Sequence, residues 1–543
     1  MERLSIASQR SKLIQFGSLP PTWLRFLIVV LLVLGVFFRF VNLDKKVYWL
    51  DETYTSLRIS GYTETEAAKQ VSKGQILTIE NLQKYQRPNP EKSLGNTIRG
   101  LAVEEPQVTP LYFVMVKWWV QMFGNTVTVT RSLSAFISLL AFPCIYWLCL
   151  ELFESSLTGW IAIALIAISP FQVLYAQEAR QYSLWTVTIL LSCASLLRAM
   201  RVKTKGSWAI YAATVALGLY SHLFTALVVI AQGIYIAVIE RLRGIKTIAA
   251  FAIASLAGFV AFSPWVWVVI TNLSQIAKAT PEQSQRIKEP LASLTKSWFG
   301  NLSRNFFDFG FSSDSPLGFL AFIILVVLVI AGYSIYFLCR HTSKRVWLFI
   351  LTLSGFPSLA LILPDLVLGG RRSILARYMI PFYLSIQLAI AYLLSSKIFV
   401  SLPNQRQKLW QFILVILISG GILSCVISSQ SESSWTKRTN SYNRQFAQLI
   451  NQASHPLLLS ELSRTPPYHS IFKQASLSHK LEPKVQFKFI VENTLPDIPQ
   501  GFSDVFLIDP SEELKGKIET RYSSKLKLIS RNSESMLWML AKN

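Results

Sequence analysis

Cysteine is scarce in this chain, and none of it lies where it could build a scaffold or a metal site. All five cysteines fall inside apolar runs, at Cys144, Cys149, Cys193, Cys339 and Cys425. Disulfide frameworks and zinc centres need cysteines grouped at defined spacings in polar segments. Neither is indicated here, and we interpret the five as small residues packed among apolar side chains.

Charged residues are also few, which excludes a water-soluble globular protein. They make up 15% of the chain against 52% apolar residues, and the mean hydropathy is +0.39. Apolar runs of roughly 18 or more residues, long enough to cross a bilayer, recur between Trp23 and Cys425. These runs predict a mainly α-helical, polytopic membrane protein. About eleven spanning helices are predicted, at 24–41, 131–150, 157–175, 183–200, 208–221, 223–240, 246–271, 316–339, 346–364, 378–396 and 409–427.

The formal net charge of +23 does not indicate a nucleic-acid partner. Lysine and arginine cluster in short connections between apolar runs, as the positive-inside bias of membrane insertion requires, so membrane lipid is the expected counterpart. Basic residues also precede the first run, which is long and lacks a small-residue cleavage site. We therefore expect an uncleaved first span.

The segment 110–123 decides the topology. At 1.5 Å per residue it is about 21 Å long, against about 30 Å for the hydrocarbon core, and Lys117 and Gln121 give it a polar stripe. We expect a helix lying in the interface. Only then do the basic connections all lie in the cytoplasm, which places 42–109, 175–182, His222, 272–315, 365–377 and the tail outside the plasma (inner) membrane.

The acidic pair Asp51-Glu52 lies just past the first apolar run. Carboxylates at a membrane surface seldom stabilise a fold by themselves, so the pair points to a partner, a metal or a reaction. We take both as candidate catalytic residues. No cofactor is required by the sequence, although a divalent metal at Asp51 and Glu52 remains possible.

Two further polar turns are predicted on the same face. One carries Glu178, Arg180 and Tyr182, and the other carries Arg371, Arg372 and Arg377. Glu178 and Arg180 could simply pair with each other, and outer arginines could anchor lipid headgroups. Arginine is, however, well suited to hold a phosphate in two places at once.

An outer carboxylate together with outer arginines suits chemistry on a lipid phosphate. Glycosyl transfer from a polyprenyl-phosphate sugar needs a base for the acceptor hydroxyl and cations for the departing phosphate. Direct displacement would invert the anomeric centre. A transporter or lipid flippase is the competing interpretation, and a silent membrane scaffold is a third. Transporters place charges near the midplane and often repeat their halves, whereas here the charges gather at one face.

Four motifs resemble the GT-C superfamily of lipid-phosphosugar-dependent glycosyltransferases, closest to bacterial members of the protein O-mannosyltransferase and aminoarabinose-transferase clan. They occur in order across about 20–400: Asp51-Glu52; Thr109-Pro110-Leu111-Tyr112-Phe113 with Phe123-Gly124 and Arg131; Gln177 to Leu184; and Ala376-Arg377-Tyr378 to Tyr383. The resemblance implies that Asp51 activates the acceptor, with Glu52 supporting it or binding a metal. It also implies that Glu178 and Arg180 lie beside the site, and that Arg131 and Arg377 belong to its framework or phosphate surroundings.

One departure from the family bears on the donor. Family members often carry His or Lys just before Pro-Leu-Tyr, where this chain has Val108-Thr109-Pro110. The phosphate contact expected there would be missing or would come from Lys117, Arg371 or Arg372. The sugar, a hexose or pentose, and the acceptor, a lipid, glycan or protein, stay open.

The sequence divides into two predicted domains. Residues 1–427 form the transmembrane catalytic domain, whose first outer loop, 42–130, carries interfacial helices. Residues 428–543 have short apolar stretches separated by Pro, Gly, Ser and charge, which predict a small extracytoplasmic α/β domain. Strands are expected near 456–460, 485–491, 504–509 and 525–529. This tail contains no phosphate loop, metal-ligand spacing or nucleophile constellation.

Overall fold

The computed structural model describes residues 21–279, 288–310, 317–399, 405–437, 440–462, 469–491, 494–532 and 535–541. These residues form two compact units. The first is built from described residues within 1–41, 131–268 and 282–430, and the second from those within 42–130, 269–281 and 431–543.

The first unit is helical. Its helices are Thr22–Phe40, Ala141–Phe153, Ser156–Ala167, Pro170–Ala176, Tyr182–Val202, Lys205–Ser221, Thr225–Glu240, Leu291–Ser303, Leu317–His341, Lys344–Leu368, Ile380–Ile398 and Gln405–Gln430, with 3-10 turns at Arg241–Gly244 and Ala376–Met379. The helices Val127–Leu139 and Ile245–Thr271 each run from one unit into the other.

The prediction of a mainly helical membrane protein is confirmed. Eight helices in the described part of the chain are long and apolar enough to cross a bilayer: Thr22–Phe40, Val127–Phe153, Tyr182–Val202, Ile245–Thr271, Gly318–His341, Lys344–Leu368, Ala376–Ile398 and Gln405–Gln430. Ser156–Ala167 and Pro170–Ala176, bent by 62°, make a ninth if they form one span. Lys205–Ser221 and Thr225–Glu240 are shorter. Each of the eleven predicted segments thus corresponds to a helix or a bent pair, and the number of spans stays a prediction.

The bend has a local cause. Pro170 has no amide hydrogen to continue the preceding helix, and Ser169 caps the new one by accepting a hydrogen bond from the Gln172 amide at 3.5 Å. The carbonyls released at the break are taken by Arg39, which donates to Ala167 O at 2.8 Å and Ile166 O at 3.1 Å. A buried arginine is stable there because its donors are satisfied by carbonyls that would otherwise lack partners.

Two helices form the centre of the first unit. Tyr182–Val202 is 89% buried over its apolar window and Ala376–Ile398 is 83% buried, whereas Gly318–His341 is only 17% buried. The outer helices therefore present apolar side chains outward, as lipid contact requires. The two central helices begin at Tyr182 and at the Ala376–Met379 turn, so they hold two of the predicted site motifs on rigid elements.

The second unit combines helices with one sheet. The helices are Leu50–Ser60, Glu64–Val71, Ile79–Gln83, Leu94–Glu104, Leu111–Phe123, Leu273–Ala279, Asn443–Asn451, His469–Leu477 and Glu512–Tyr522, with 3-10 turns at Lys84–Gln86 and Ser478–Lys480. The strands are β1 (Leu77–Thr78), β2 (Pro456–Glu461), β3 (Gln486–Ile490), β4 (Asp504–Ile508), β5 (Leu526–Arg531) and β6 (Met536–Leu540). Their order in the sheet is β1-β3-β2-β4-β6-β5.

The sheet is mixed. Strand β2 pairs in parallel with β3 and β4, whereas β1, β5 and β6 pair antiparallel to their neighbours. The four strands expected from the sequence are present, and β1 and β6 are additional. The expected small α/β tail is therefore found.

The division into domains differs from the predicted one. The sequence predicts residues 42–130 to be part of the membrane domain, but β1 is hydrogen-bonded to β3 of the tail, with Leu77 opposite Phe487. Leu57 and Leu82 also share one buried core with Phe446, Phe472 and Phe487. This association depends on contacts between residues about 400 positions apart, which no local pattern carries.

The helix Leu111–Phe123 has 13 residues and is not among the spanning candidates found in the described ranges. Lys117 and Gln121 do not form the polar stripe that the spacing predicted, because Lys117 is only 2% exposed while Gln121 faces outward. The Lys117 ammonium donates to Lys92 O at 3.1 Å, Ser93 O at 3.2 Å and Thr97 Oγ1 at 3.1 Å.

Candidate functional site

In the first unit, the turn before Tyr182 is fixed on both sides. Gln177 Nε2 donates to Phe38 O at 2.8 Å and to Val41 O at 2.9 Å, which ties the turn to the end of the first helix. Ser134 Oγ donates to Arg180 O at 3.3 Å. Glu178 is 0% exposed and Arg180 is 6% exposed, so both charged side chains of this turn are held inside the unit. Charged groups that are buried in this way are kept in place by the groups around them.

Arg377 connects the two central helices. Its guanidinium carbon lies 5.7 Å from the centre of the Tyr182 ring and 5.6 Å from that of Tyr378, within cation–π range. The predicted site residues Arg180, Tyr182, Arg377 and Tyr378 are grouped around one further side chain, His222. The structure therefore brings together residues from two of the motifs on which the resemblance rested.

His222 lies in an aromatic cage. Its ring stacks on Trp185 with centroids 4.2 Å apart, and it lies 5.9 Å from Tyr378 and 6.3 Å from Tyr182. His222 Nδ1 accepts a hydrogen bond from the Phe224 amide at 3.2 Å. An imidazole that accepts at Nδ1 and stays neutral carries its proton on Nε2 and can donate from there.

The surroundings of His222 keep it neutral. Burial, Arg377 and Arg180 together lower the pKa of His222 to about 3, since the charged form would be poorly solvated and would lie beside two guanidinium groups. A lone histidine at a helix end gave little signal in the sequence. The one signal for His222 was its predicted place in a short turn on the outer face, the same face as the turns that carry Tyr182 and Arg377.

The remaining predicted residues of the first unit have other surroundings. Arg131 is 0% exposed. Arg371 pairs with Glu289, and its side chain is 48% exposed. Arg372 lies 3.2 Å from Asp365 Oδ1, and the Ser373 amide donates to the other oxygen of that carboxylate. Arg371 and Arg372 thus have carboxylate partners within the first unit. These contacts are separate from the ones that surround His222.

In the second unit, Asp51 and Glu52 begin the helix Leu50–Ser60. The Leu50 amide donates to Asn440 Oδ1 at 2.8 Å, and acidic residues are favoured in this first turn because they face unsatisfied amide groups. The two carboxylates differ in access. Asp51 is partly exposed, whereas Glu52 is 0% exposed.

Glu52 is held by an ion pair. Its Oε2 lies 3.1 Å from Lys437 Nζ, which is also 0% exposed, and it accepts from the Trp49 amide at 3.4 Å. Lys437 was not singled out in the sequence. A lysine in a polar tail gives no local signal that it pairs with a residue 385 positions earlier.

His469 lies within electrostatic range of Asp51. Burial and Lys473 lower the pKa of His469 to about 4, against the opposing effect of the Asp51 carboxylate. The imidazole is therefore neutral near pH 7 and does not neutralise Asp51.

The opposite end of the Asp51 helix carries a buried cation. Arg58 is 0% exposed and donates to Glu64 at 2.6 Å, to Glu105 at 2.9 Å and to Glu104. Glu104 also accepts from the Glu64 amide at 2.8 Å, at the start of the helix Glu64–Val71. This four-residue cluster fixes the orientation of the Asp51 helix within the second unit.

A metal centre at Asp51 and Glu52 does not fit these surroundings. The Glu52 carboxylate is engaged by Lys437, and no group of three or more His, Cys, Asp or Glu side chains in the described ranges is placed to hold an ion.

Comparison with known proteins gives a family match over part of the chain and a similar fold over nearly all of it. Residues 106–268 match the family described as dolichyl-phosphate-mannose-protein mannosyltransferase. The search of curated proteins gives no match. The fold resembles ArnT from Cupriavidus metallidurans bound to undecaprenyl phosphate, with a TM-score of 0.53 and 12% identity over 95% of this chain and 98% of that one.

The apo state of the same ArnT gives a similar result, with a TM-score of 0.51 and 11% identity over 95% of this chain and 97% of that chain. At such identity the likeness concerns the fold, and it extends through both compact units. The resemblance predicted from the sequence motifs is thus confirmed. The chain thus shares the fold of ArnT, and residues 106–268 within it match the mannosyltransferase family.

Proposed function

We propose that this protein is an inverting glycosyltransferase that moves a sugar from a polyprenyl-phosphate donor to an acceptor hydroxyl, on the outer face of the plasma membrane. The observation that carries the proposal is Asp51 itself. In a chain with the GT-C fold, it is the partly exposed carboxylate of an acidic pair whose other member is buried in an ion pair.

Asp51 acts as the base in this proposal. Its carboxylate takes the proton of the acceptor hydroxyl while that oxygen attacks C1 of the donor sugar. The bond between C1 and the phosphate oxygen breaks, and the polyprenyl phosphate leaves with the electron pair. Because the donor is already activated by its phosphate, one carboxylate suffices, and a single displacement inverts the anomeric centre.

The residues around His222 are assigned to the donor phosphate. Arg377 and Arg180 supply positive charge, and a neutral His222 can donate a hydrogen bond from Nε2. Tyr182 and Tyr378 hold the Arg377 guanidinium by cation–π contact, which orients its donors. We assign Arg131 and Glu178, both fully buried, to the framework that supports this group.

Lys117, Arg371 and Arg372 have weaker support as phosphate contacts. Lys117 is directed at two backbone carbonyls and a threonine hydroxyl, and burial lowers its pKa. Arg371 and Arg372 pair with Glu289 and Asp365.

Two observations support a polyprenyl-phosphate donor. A structure that shares the fold, ArnT, is described in complex with undecaprenyl phosphate, and the matching family is described by dolichyl-phosphate-mannose chemistry. Dolichyl and undecaprenyl phosphates are both polyprenyl-type lipids with one phosphate. Both observations support a lipid-linked phosphosugar as the donor, and the sugar itself is to be found by experiment.

The test is a donor panel. Purified protein in lipid nanodiscs is incubated with polyprenyl phosphates that carry different hexoses and pentoses, together with a cell-envelope extract as acceptor. The proposal predicts release of free polyprenyl phosphate with one class of sugar, in equal amount to the sugar gained by the acceptor. Movement of intact donor across the bilayer without release of lipid phosphate would instead favour a flippase.

A further inference from the structure

The stretch that follows the last apolar helix runs against the start of the Asp51 helix. We call the described residues Ser431–Lys437 and Asn440 the strap. Within the second unit, the Val47 amide donates to Glu432 O at 2.8 Å, and Lys437 Nζ lies 3.3 Å from Val47 O and 3.1 Å from Glu52 Oε2. Asn440 Oδ1 then accepts from the Leu50 amide at 2.8 Å.

These contacts replace those that the helix start cannot make internally. The first four amides of a helix have no partner in the helix, and Asn440 takes one of them. Glu52 accepts a second amide hydrogen, from Trp49, just before the helix. The strap therefore sets both the position at which the helix begins and the direction in which its first turn points.

The buried ion pair Glu52–Lys437 needs a well-defined geometry. Both side chains are 0% exposed, and burying a lysine and a glutamate is tolerable only when each neutralises the other in a fixed geometry. Asp51 directly precedes Glu52 on the same helical turn. Any shift of the helix backbone at Glu52 therefore moves the Asp51 carboxylate as well.

The far end of the same helix is also fixed. Arg58 is held by Glu64, Glu104 and Glu105, so the helix cannot rotate about its axis without breaking three charged contacts. With one end fixed by this cluster, the strap determines the place of the other end. A difference of about 1 Å at a reacting group is enough to lower a rate strongly.

We propose that Lys437 and Asn440 are positioning residues for the transfer reaction, acting through the helix that carries Asp51. The C-terminal segment is then a working part of the catalytic apparatus and more than an attached accessory domain. The inference rests on the proposed function, because it gives Asp51 the role of base. It adds two residues that lie in none of the motifs of the family resemblance.

The first test compares two lysine variants at equal amounts of folded protein. Lys437→Met should lower kcat for sugar transfer at least tenfold while KM for the donor changes less than threefold, because the donor contacts are untouched. Lys484→Met is the matched control, since Lys484 pairs with Glu482 at 3.0 Å on the surface of the same unit and its side chain is 33% exposed. Its kcat should stay within twofold of the parent.

The second test uses Asn440 in case Lys437→Met does not fold. Asn440→Leu removes the acceptor for the Leu50 amide and should lower kcat. Asn440→Asp keeps an acceptor oxygen at this position, so its kcat should be closer to that of the parent. Amide hydrogen exchange over residues 50–60 should be faster in Asn440→Leu than in the parent. A folded Lys437→Met or Asn440→Leu protein with parental kcat would overturn the proposal.

The outcomes separate this inference from the proposed function. Parental transfer in Asp51→Asn would remove the base and with it the proposed mechanism. Amide hydrogen exchange over residues 50–60 reports on the strap even if the proposed reaction is wrong, because the measurement needs no substrate. If Asp51→Asn is inactive while Lys437→Met and Asn440→Leu keep both parental kcat and parental exchange, only the strap fails.

Discussion

The Arg377 guanidinium carbon lies 5.7 Å from the centre of the Tyr182 ring, so a residue that begins one central helix of the first unit contacts the turn that begins the other. His222 adds a third element, because it lies 6.3 Å from the same tyrosine. Three sequence segments that are up to 195 residues apart are thus joined in a cationic, aromatic group. Such a group suits an anionic headgroup, since it combines charge with a low-dielectric surrounding.

Replacement of Arg377 by lysine should impair donor binding. Lys keeps the charge but loses the planar fork of donors and its stacking on Tyr182 and Tyr378. We expect KM for the polyprenyl-phosphate donor to rise about tenfold, which corresponds to roughly 1.4 kcal/mol. Steady-state transfer kinetics at several donor concentrations measure the change.

Arg371→Lys is the control for this substitution. Arg371 is half-exposed and pairs with Glu289, so the same exchange should raise KM less than threefold. An equal rise in both variants would mean that general positive charge, and no particular contact of Arg377, supports donor binding.

The cluster at Arg58 should make stability depend on pH. Burial, opposed by Arg58 and reinforced by Glu104 and Glu105, raises the pKa of Glu64 to about 7. Between about pH 4.5 and pH 7 the folded protein holds a proton that the unfolded chain has released, so the free energy of unfolding falls as pH rises through that window. The full effect is on the order of 3 kcal/mol.

Thermal unfolding of the parent and of Glu64→Gln at pH 5, 6, 7 and 8 checks this expectation. The parent should lose stability relative to Glu64→Gln as pH rises to about 7 and then stay level. Glu66→Gln is the control. Burial raises the pKa of Glu66, but hydrogen bonds from Thr63 and Lys92 outweigh it and hold that pKa below its usual value. Any effect of Glu66 on the free energy of unfolding therefore occurs at a lower pH than that of Glu64. A constant difference between parent and Glu64→Gln across the range would contradict the assignment.

The predicted topology can be tested at the turn that follows the helix Leu111–Phe123. Asn125 is exposed there, and it lies outside the membrane if that helix does not cross. A cysteine at Asn125 should react with an impermeant maleimide in intact cells, because the reagent reaches only the outer face. A cysteine at Lys205, exposed in a predicted cytoplasmic connection, should react only after permeabilisation. The reverse pattern would contradict the placement of both segments and with it the non-crossing helix Leu111–Phe123.

The sequence predicted the helices well because the signal for each is local. All eleven apolar segments correspond to helices or a bent pair, and four strands of the tail lie close to their expected bounds. Length and apolar content decide these elements within one segment, without reference to the rest of the chain. Asp51 and Arg377 are candidates on the same local grounds, because charged residues at the ends of apolar runs are costly enough to stand out.

Relationships between distant residues were not predictable in the same way. The burial of Lys117, the pairing of Leu77 with Phe487 and the ion pair of Glu52 with Lys437 each depend on partners far away in the sequence. A lysine has the same local pattern whether it faces solvent or a buried carboxylate. For that reason the sequence assigned 42–130 to the membrane part, whereas the structure packs these residues with the tail.

The most direct test of the central claim is Asp51→Asn, assayed as release of polyprenyl phosphate from the donor that the panel identifies. Asparagine keeps the size of the side chain but cannot accept a proton, so turnover should fall at least about 100-fold with unchanged folding and abundance. Asp44→Asn, at an exposed carboxylate seven positions earlier, should keep parental turnover. Parental turnover in Asp51→Asn would contradict the role of Asp51 as the catalytic base.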